Sequence, residues 1–435
     1  MSLSVSPKSS VSQRARAILT YEASCAVPAA GGIVGKGEYH AEENPNGMIN
    51  MGTAQNIMMY DLLREKLDCS MELPRTWSDR MFKYGETEGL PELREAIAKL
   101  LTITSHAAKP LDPNKMVIMN GGDVCLEAMA HVLCDAGEAV LVPVPFYYGL
   151  GRSLKLRPNV DVVPIPLFKE PRPGESQPFQ LTADRAEEAY QKAVSEGVTV
   201  RALFLVNPSN PLGDVYSRKQ VLDLLMFASR HDLHVVFDEV YMSTIYEEGV
   251  THSSIFQFRE DEIPDPQKVH FIWTFSKDLA MSGMHIAVNY TWNDEVCKAL
   301  TSIAHFHAAP TGWQQAMARM LSDSDWFVNV FLATSVKRLK EAHSFFTQGL
   351  SELGVPCHNG GAGLFVWADF SKFLSAPTAE AEEELKQKLL RAGVQGTPSA
   401  VCLGQERGWF RLVFAKDKDT LETALARMQK ALKTN

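Results

Sequence analysis

Three polar clusters in this sequence stand directly after apolar, strand-like runs. They are NPSNPLG at residues 207–213, DEVY at residues 238–241 and TFSK at residues 274–277. Together they supply an amide, a carboxylate, a phenol and a primary amine. Open α/β sheets bind their ligands at the carboxyl ends of parallel strands, so the sequence predicts that these groups converge on one crevice.

This set of groups suits chemistry with pyridoxal 5'-phosphate (PLP). The Lys277 amine can bond to the aldehyde, and the Asp238 carboxylate can keep the pyridine nitrogen protonated. Tyr241 and Asn210 can donate hydrogen bonds to the ring oxygen. Each motif alone is weak, because an Asp-Glu pair is often a helix cap and an Asn-Pro sequence is often only a turn. The presence of all three in order favours a PLP site over coincidence.

The elements that position these clusters alternate between strand and helix. The strands are apolar on both faces, as in a buried parallel sheet, and the helices repeat apolar residues at helical spacing. The sequence therefore predicts an α/β fold with a large, mostly parallel sheet flanked by helices. The predicted strands are 116–119, 139–143, 160–164, 200–206, 234–237 and 269–275, and the predicted helices are 60–67, 91–104, 124–134, 148–154, 182–195 and 217–231.

After about residue 310 the pattern changes to long helical stretches with isolated strands. This change predicts a smaller α+β domain at residues 311–435. Residues 48–310 are assigned mainly to the large domain, and the start of this span is left open to either domain. Residues 1–47 are predicted to be an N-terminal arm with loops. The predicted helices of the small domain are 311–321, 326–353, 379–392 and 420–432, and its strands are 364–369 and 409–415.

The composition narrows the class of protein. The chain has 435 residues, of which 45% are hydrophobic and 22% are charged, with a formal net charge of -9. We expect no binding to nucleic acid, and no apolar run approaches the roughly 20 residues of a membrane-spanning helix. The 7 cysteines are scattered without a CxxC pair. We therefore expect no disulfide framework, no metal site and a cytoplasmic location, although the serine-rich start weakly resembles a transit peptide.

Four motifs in this order carry a resemblance to a known family. They are NPSNPLGDVY at residues 207–216, DEVY at 238–241, TFSKD at 274–278 and GWFRLVFA at 408–415. The sequence resembles the fold-type-I PLP enzymes of the class I/II aminotransferase superfamily, and among them the 1-aminocyclopropane-1-carboxylate (ACC) synthase-like proteins. The similarity runs from about Ile49 to the C-terminus. It implies a PLP-dependent transferase-like fold.

The resemblance also implies roles for individual residues. Lys277 is then the Schiff-base lysine, and Asp238 is the partner of the pyridinium nitrogen. Tyr241 and Asn210 become the ligands of the ring oxygen, and Tyr147 becomes the aromatic residue stacked on the ring. Except for that of Tyr147, which only the resemblance implies, these roles agree with the roles that the residue types themselves suggest.

Substrate binding and assembly are implied in the same way. Arg411 is expected to clamp the substrate α-carboxylate, for which a bidentate guanidinium is well suited. Gln55 and Asn56 are expected beside the substrate, but ACC synthases have a glutamate where this chain has Gln55, which argues against cyclopropane formation. The family is dimeric with shared active sites, so a homodimer is expected. Thr87 stands where the family has an aromatic residue that reaches the neighbouring subunit.

The residues expected around the cofactor phosphate depart from the family pattern. His285 stands where the family has an arginine, and Asp123 and Val124 stand where it has small and hydroxyl residues. Thr274 and Ser276 keep their hydroxyls. Charge-assisted hydrogen bonds contribute about 1.5–3 kcal/mol each, so losing two of them weakens PLP binding by roughly two to four decades.

Three hypotheses about function follow from these observations. The leading hypothesis is an enzyme that acts on an α-amino acid, with Lys277 removing the Cα proton before transamination or β/γ-elimination or replacement. A competing hypothesis is a non-catalytic homologue with weakened PLP binding that acts as a binding or regulatory dimer. A third hypothesis is that PLP binds in a shifted position, with His285 giving one hydrogen bond.

Overall fold

The computed structural model describes residues 12–24, 37–70, 79–167, 179–358 and 360–433. Its strands belong to one large sheet, one small sheet and one short pair. The strands are β1 (Ile49–Asn50), β2 (Met116–Met119), β3 (Ala139–Val144), β4 (Asp161–Pro166), β5 (Val200–Val206), β6 (His234–Asp238), β7 (Val269–Thr274), β8 (Ala287–Thr291), β9 (Cys357–His358), β10 (Phe365–Asp369), β11 (Val394–Gln395), β12 (Thr397–Pro398) and β13 (Trp409–Val413).

Helices connect most of these strands. In the longest helical stretch, a π-helical segment, Phe327–Leu332, lies between two α-helices. The α-helices are α1 (Gln13–Ser24), α2 (Tyr60–Ser70), α3 (Pro91–Thr104), α4 (Gly122–Leu133), α5 (Tyr148–Lys155), α6 (Ala183–Ser195), α7 (Arg218–Arg230), α8 (Asp294–Ala304), α9 (Thr311–Leu321), α10 (Ser324–Trp326), α11 (Ala333–Glu352), α12 (Ala379–Arg391) and α13 (Lys418–Lys433).

The large sheet has seven strands in the order β2-β8-β7-β6-β5-β3-β4. Strand β8 runs antiparallel to both of its neighbours, and β3 to β7 pair in parallel. Every residue of β3 and of β7 is buried, as the continuous apolar runs predict. At the edge, β4 carries Pro164 and Pro166, which lack the N–H that a further strand would need.

Two apolar clusters cover the two faces of this sheet. Because side chains alternate along a strand, Met116 and Ile118 of β2 enter one cluster, whereas Val117 and Met119 enter the other. Helices α4, α5 and α8 supply the second cluster, and α3, α6, α7 and α9 supply the first. The sheet is therefore sandwiched between helices, and its strand ends are free to carry polar groups.

A second core surrounds the small sheet, whose strand order is β12-β13-β10-β9. The paired strands in this sheet are antiparallel, and apolar side chains of α11, α12 and α13 pack against them. Strand β1 pairs in parallel with β11, which ties the start of the family-like region to the C-terminal part of the chain. The division of the chain at residues 47 and 310 stays a prediction.

Most predicted elements coincide with observed ones, but the sequence did not predict several observed elements, among them the short strands β9, β11 and β12. The prediction of an arm with loops before residue 48 was wrong for α1, whose Glu22 forms an ion pair with Arg152 at 2.6 Å. Neither β8 nor α8 was predicted from the sequence. Strand β8 includes the polar Asn289 within a five-residue run, AVNYT, that is too short to show a period, yet all five residues are buried between β2 and β7.

No helix among the described residues combines the length and the apolar character that crossing a membrane requires.

A histidine pair, in which His270 is buried and His234 is partly buried, joins three strands at the end of the sheet opposite Lys277. The nearest ring nitrogens of His234 on β6 and His270 on β7 are 2.9 Å apart, and His270 Nδ1 lies 2.8 Å from the hydroxyl of Thr291 on β8. Burial is the main cause that lowers the pKa of His270 to about 3 and the pKa of His234 to about 4. The folded protein therefore holds both rings neutral at pH values where the unfolded chain protonates them.

We predict that the free energy of unfolding falls as the pH decreases from about 6.5 towards 4, by about 1.4 kcal/mol per pH unit for each such histidine. The unfolded state binds these protons first, so this contribution is complete above pH 6.5 and is lost on acidification. Urea unfolding of the His234→Asn/His270→Asn protein between pH 5 and pH 7 should show a shallower pH dependence. The exposed His131→Asn serves as a control, and an unchanged slope in the double variant would contradict the assignment.

Candidate active site

Lys277 lies three residues beyond the end of β7, in a turn that Asp278 anchors. The Asp278 carboxylate accepts hydrogen bonds from Trp273 Nε1 at 2.8 Å and from the Ser243 N–H at 3.0 Å. Burial raises the pKa of Asp278 to about 7. The Lys277 Nζ itself donates to the carbonyl oxygen of Ala54 at 2.8 Å. The amine is thus held at the carboxyl edge of the sheet, as the sequence predicts.

The two acidic residues at the end of β6 face different surroundings. Asp238 lines a cavity, and burial raises its pKa to about 7. Glu239 accepts a hydrogen bond from the Ile255 N–H at 2.9 Å, and burial raises its pKa to about 8. Because a buried carboxylate with a raised pKa is stabilised by a positive neighbour, Asp238 is suited to hold a protonated nitrogen in the cavity.

A short chain of hydrogen bonds crosses from the large sheet to the small sheet. Asn210 Nδ2 donates to the Tyr241 hydroxyl at 3.5 Å, and Arg411 Nη1 on β13 donates to Asn210 Oδ1 at 2.8 Å. Arg411 Nη2 donates to the Gly52 carbonyl at 2.5 Å. Arg411 is only 2% exposed, and its Nε has no partner among the described residues.

The environment of the Lys277 amine favours its neutral form. Burial is the main cause that lowers the pKa of Lys277 to about 8, and the positive charge of Arg411 lowers it further. The carboxylates of Asp123 and Asp238 oppose this effect and raise the pKa. With this pKa, about one tenth of the amine is unprotonated at pH 7, and the neutral amine is the form that a nucleophile or a base requires.

A cavity of about 430 Å³ lies among Lys277, Asp238, Tyr241 and Asn210. It opens at the carboxyl ends of β5, β6 and β7 and at the start of α4. Open α/β sheets bind their ligands at this end of the strands. Ten of the residues predicted for the site line it: Asn210, Asp238, Tyr241, Lys277, Tyr147, Thr274, Ser276, His285, Asp123 and Val124.

One part of the cavity wall contains the residues predicted near the phosphate. Thr274 Oγ1 and Ser276 Oγ are 3.0 Å apart, and Asp123 lies in the first turn of α4. Asp123 Oδ1 accepts a hydrogen bond from the Tyr147 hydroxyl at 3.1 Å. His285 is exposed, adopts a left-handed conformation with φ 48°, and lies beside Gly121.

Three predicted substrate residues do not line the cavity. Arg411 lies behind Asn210, with its guanidinium engaged by the acceptors described above. Gln55 is exposed, and Asn56 is buried, with its Nδ2 donating to Ser335 Oγ at 3.1 Å. Thr87 is partly buried and also lies outside the cavity wall.

The sequence did not reveal the backbone groups at the site. The carbonyl oxygens of Gly52 and Ala54 accept hydrogen bonds from Arg411 and Lys277, respectively. Ser282 lines the cavity and donates to the Ser276 carbonyl at 2.9 Å. No residue pattern signals a carbonyl contact, because every residue type has a carbonyl group.

The comparisons with known proteins agree with this geometry. Residues 50–428 match the family model "Aminotransferase class I and II". The Mus musculus "1-aminocyclopropane-1-carboxylate synthase-like protein 1" is 38% identical over 395 residues, which are 91% of this chain and 78% of that protein. The Homo sapiens "Probable inactive 1-aminocyclopropane-1-carboxylate synthase-like protein 2" is 38% identical over 392 residues, which are 90% of this chain and 68% of that protein.

A solved structure also matches this fold. A double mutant of Thermus thermophilus aspartate aminotransferase matches with a TM-score of 0.71 and 22% identity, covering 88% of this chain and 92% of that chain.

The chain therefore belongs to the class I and II aminotransferase family, whose members depend on PLP. The predicted resemblance and the predicted PLP-dependent transferase-like fold are confirmed.

The residues lining the cavity fit the ring and the aldehyde of PLP. A buried carboxylate, Asp238, is available for the ring nitrogen, Tyr241 and Asn210 offer polar atoms for the ring oxygen, and the Lys277 amine is available for the aldehyde. Near Asp123 the wall offers two hydroxyls and one exposed histidine to the phosphate, but the Asp123 carboxylate carries a charge of the same sign as the phosphate.

Lys277 should react as an amine of lowered pKa. We predict that reductive methylation of Lys277, followed by peptide mass spectrometry, rises with pH around a midpoint near 8 instead of the ordinary value of 10.5. The Asp238→Asn protein should shift this midpoint to lower pH, because the carboxylate that favours the charged amine is lost. A midpoint near 10.5 in the wild-type protein would show that Lys277 is solvated like a surface lysine.

Proposed function

We propose that this protein is a PLP-dependent enzyme that acts on an α-amino acid, as an aminotransferase or as an ACC synthase-like elimination or replacement lyase. The observation that carries the proposal is the Lys277 amine in one cavity with Asp238, Tyr241 and Asn210. When bound, PLP supplies an aldehyde that captures amines and a protonated ring that withdraws electrons from the substrate Cα.

Lys277 is proposed to have two tasks in this cavity. Its amine would hold the aldehyde of the cofactor, and when it is not bonded to the cofactor, its Nζ would remove the proton from the substrate Cα. The lowered pKa of about 8 supports the second task, because the neutral amine is the form that accepts a proton. The Ala54 carbonyl, which accepts a hydrogen bond from Nζ, fixes the direction of the amine.

Asp238, Tyr241 and Asn210 are proposed to orient the ring. Asp238 stabilises a proton on the ring nitrogen, because its burial makes a positive neighbour favourable. The Tyr241 hydroxyl and the Asn210 amide are already joined by a hydrogen bond, so both can approach one ring oxygen. Tyr147, at the start of α5, is proposed to cover one face of the ring.

Arg411 is proposed to bind the substrate α-carboxylate from behind Asn210. Its two Nη atoms contact Asn210 Oδ1 and the Gly52 carbonyl, and a carboxylate offers two stronger acceptors than these neutral ones. The segment around Gly52 would then have to move away from the guanidinium. Gln55, which follows this segment, is exposed, and cyclopropane formation is not part of the proposal.

A non-catalytic binding protein remains the second candidate function. The specific observation that favours it is the Asp123 carboxylate in the same cavity wall as Thr274 and Ser276. A similar human protein that carries the words "probable inactive" in its name is consistent with this alternative. The predicted cytoplasmic location remains a proposal under either function.

We predict that protein incubated with PLP shows a visible absorption band and that borohydride fixes the cofactor on Lys277. The Lys277→Ala protein should lose the fixed label, and its turnover in an amino-acid screen should fall by about 10²- to 10⁴-fold. Lys219, on the surface of α7, is the matched control, because Lys219→Ala should leave both readouts unchanged. Retained turnover in Lys277→Ala would remove the proposed role, and labelling without any turnover would favour the binding protein.

We also propose a homodimer. Tyr84 is fully exposed and Phe306 is 78% exposed. Gly85, which follows Tyr84, lies against Thr311, so the segment that carries Tyr84 contacts the start of the helix that follows Phe306. Large exposed apolar side chains that cluster on one surface commonly mark an association site. A second copy of the chain is the partner that the dimeric family suggests.

We predict that the dimer dissociation constant of the Tyr84→Ser/Phe306→Ser protein is at least about tenfold higher than that of the wild-type protein, because the substitutions remove apolar contact area. Sedimentation velocity measures this constant. The control is Val194→Ser, which removes an exposed apolar side chain on α6 at the other edge of the large sheet. A wild-type protein that is monomeric at micromolar concentration would exclude the homodimer.

A further inference from the structure

Asp123 is the residue in the cavity whose charge the proposed chemistry does not use. It lies in the first turn of α4, where the free N–H groups of a helix and its dipole favour an anion. In the described part of the chain, its carboxylate accepts a hydrogen bond from the Tyr147 hydroxyl and forms no ion pair. The helix start therefore already carries a negative charge before any ligand binds.

This charge acts on the functional groups of the cavity. The Asp123 carboxylate raises the pKa of Asp238, of Lys277 and of Tyr147, so its field extends over the residues that contact a ligand. A phosphate carries about 1.5 to 2 negative charges near neutral pH. At this wall it would face a like charge, with the exposed His285 as the only cation-forming side chain described in the cavity wall besides Lys277.

We propose that Asp123 reduces the preference of this cavity for a phosphorylated pyridine ligand, so that the same ligand without its phosphate binds with a similar affinity. The inference builds on the proposed PLP site and concerns only the part of the ligand that lies near α4. A neutral hydroxymethyl group can donate a hydrogen bond to the second oxygen of Asp123, whereas a phosphate dianion is repelled by it. The hydrogen bond from Tyr147 holds the carboxylate in place.

The size of the effect follows from the exposure of Asp123. Its side chain is exposed to water, so solvent screens part of the repulsion. We therefore expect a change of about tenfold to a hundredfold in the affinity ratio, less than a fully buried carboxylate would cause. His285 opposes this repulsion only weakly, because an imidazole can donate at most one hydrogen bond to a phosphate.

The test uses pyridoxamine and pyridoxamine 5'-phosphate, because these amines bind without forming a bond to Lys277. Calorimetry on the wild-type protein should give dissociation constants that differ by less than about tenfold. Asp123→Asn keeps an acceptor for the Tyr147 hydroxyl. In this variant the affinity for pyridoxamine 5'-phosphate, relative to that for pyridoxamine, should rise at least about tenfold. Asp123→Asn/His285→Arg should extend this gain by a further factor of about ten.

Tyr147→Phe separates the charge from the hydrogen bond, since it removes the hydroxyl but keeps the carboxylate. In this variant the affinity for pyridoxamine 5'-phosphate relative to that for pyridoxamine should not rise. A wild-type preference of more than about a thousandfold for pyridoxamine 5'-phosphate, an unchanged ratio in Asp123→Asn, or failure of both ligands to bind any variant would overturn the inference. If both ligands bind but no aldehyde becomes fixed on Lys277, the proposed function fails while the role of Asp123 stands.

Discussion

Burial of ionisable groups at the carboxyl edge of the large sheet is the constraint that organises this protein. Lys277, Asp238, Asp278 and Arg411 are all removed from most of the solvent, and burial disfavours the charged forms of the lysine and the two aspartates. Such a set persists because each group has a specific partner. These partners are the Ala54 carbonyl for Lys277, the Val240 N–H for Asp238, the Trp273 indole for Asp278, and Asn210 for Arg411. The result is an amine and a carboxylate with pKa values close to neutral pH, and groups in that range can transfer protons under physiological conditions.

The same edge joins the large sheet to the small sheet. Arg411 extends from β13 to Asn210, and His358 on β9 lies 2.7 Å from the Asp214 carboxylate, so the 207–216 segment is held from both sides. Gly213 and Gly360 permit this contact, because a Cβ at either position would collide with backbone of the facing segment. Any change in the separation of the two sheets therefore changes the position of Asn210, which couples the shape of the cavity to the packing of the small sheet.

The cavity combines a wall that fits the ring of PLP with a wall that is unusual for a phosphate. Lys277, Asp238 and Tyr241 line the first wall, whereas Asp123 brings a negative charge to the start of α4. These two walls can vary independently, because the first depends on strands β6 and β7 and the second on the first turn of a helix. A chain can thus retain the reactive amine while its preference for the cofactor's phosphate changes.

The sequence by itself determined the α/β fold, the alternation of most strands and helices, and the position of Lys277, Asp238, Tyr241 and Asn210 at one sheet edge. These inferences succeeded because they rest on local features of the sequence. A buried parallel strand requires a continuous apolar run, and the polar residues that bind a ligand follow the end of that run. Only the tertiary structure decided the place of β8 and α8, the burial of Arg411 behind Asn210, and the outward position of Gln55. Those features depend on contacts between segments far apart in the chain and on backbone carbonyls, such as that of Ala54, which no residue type identifies.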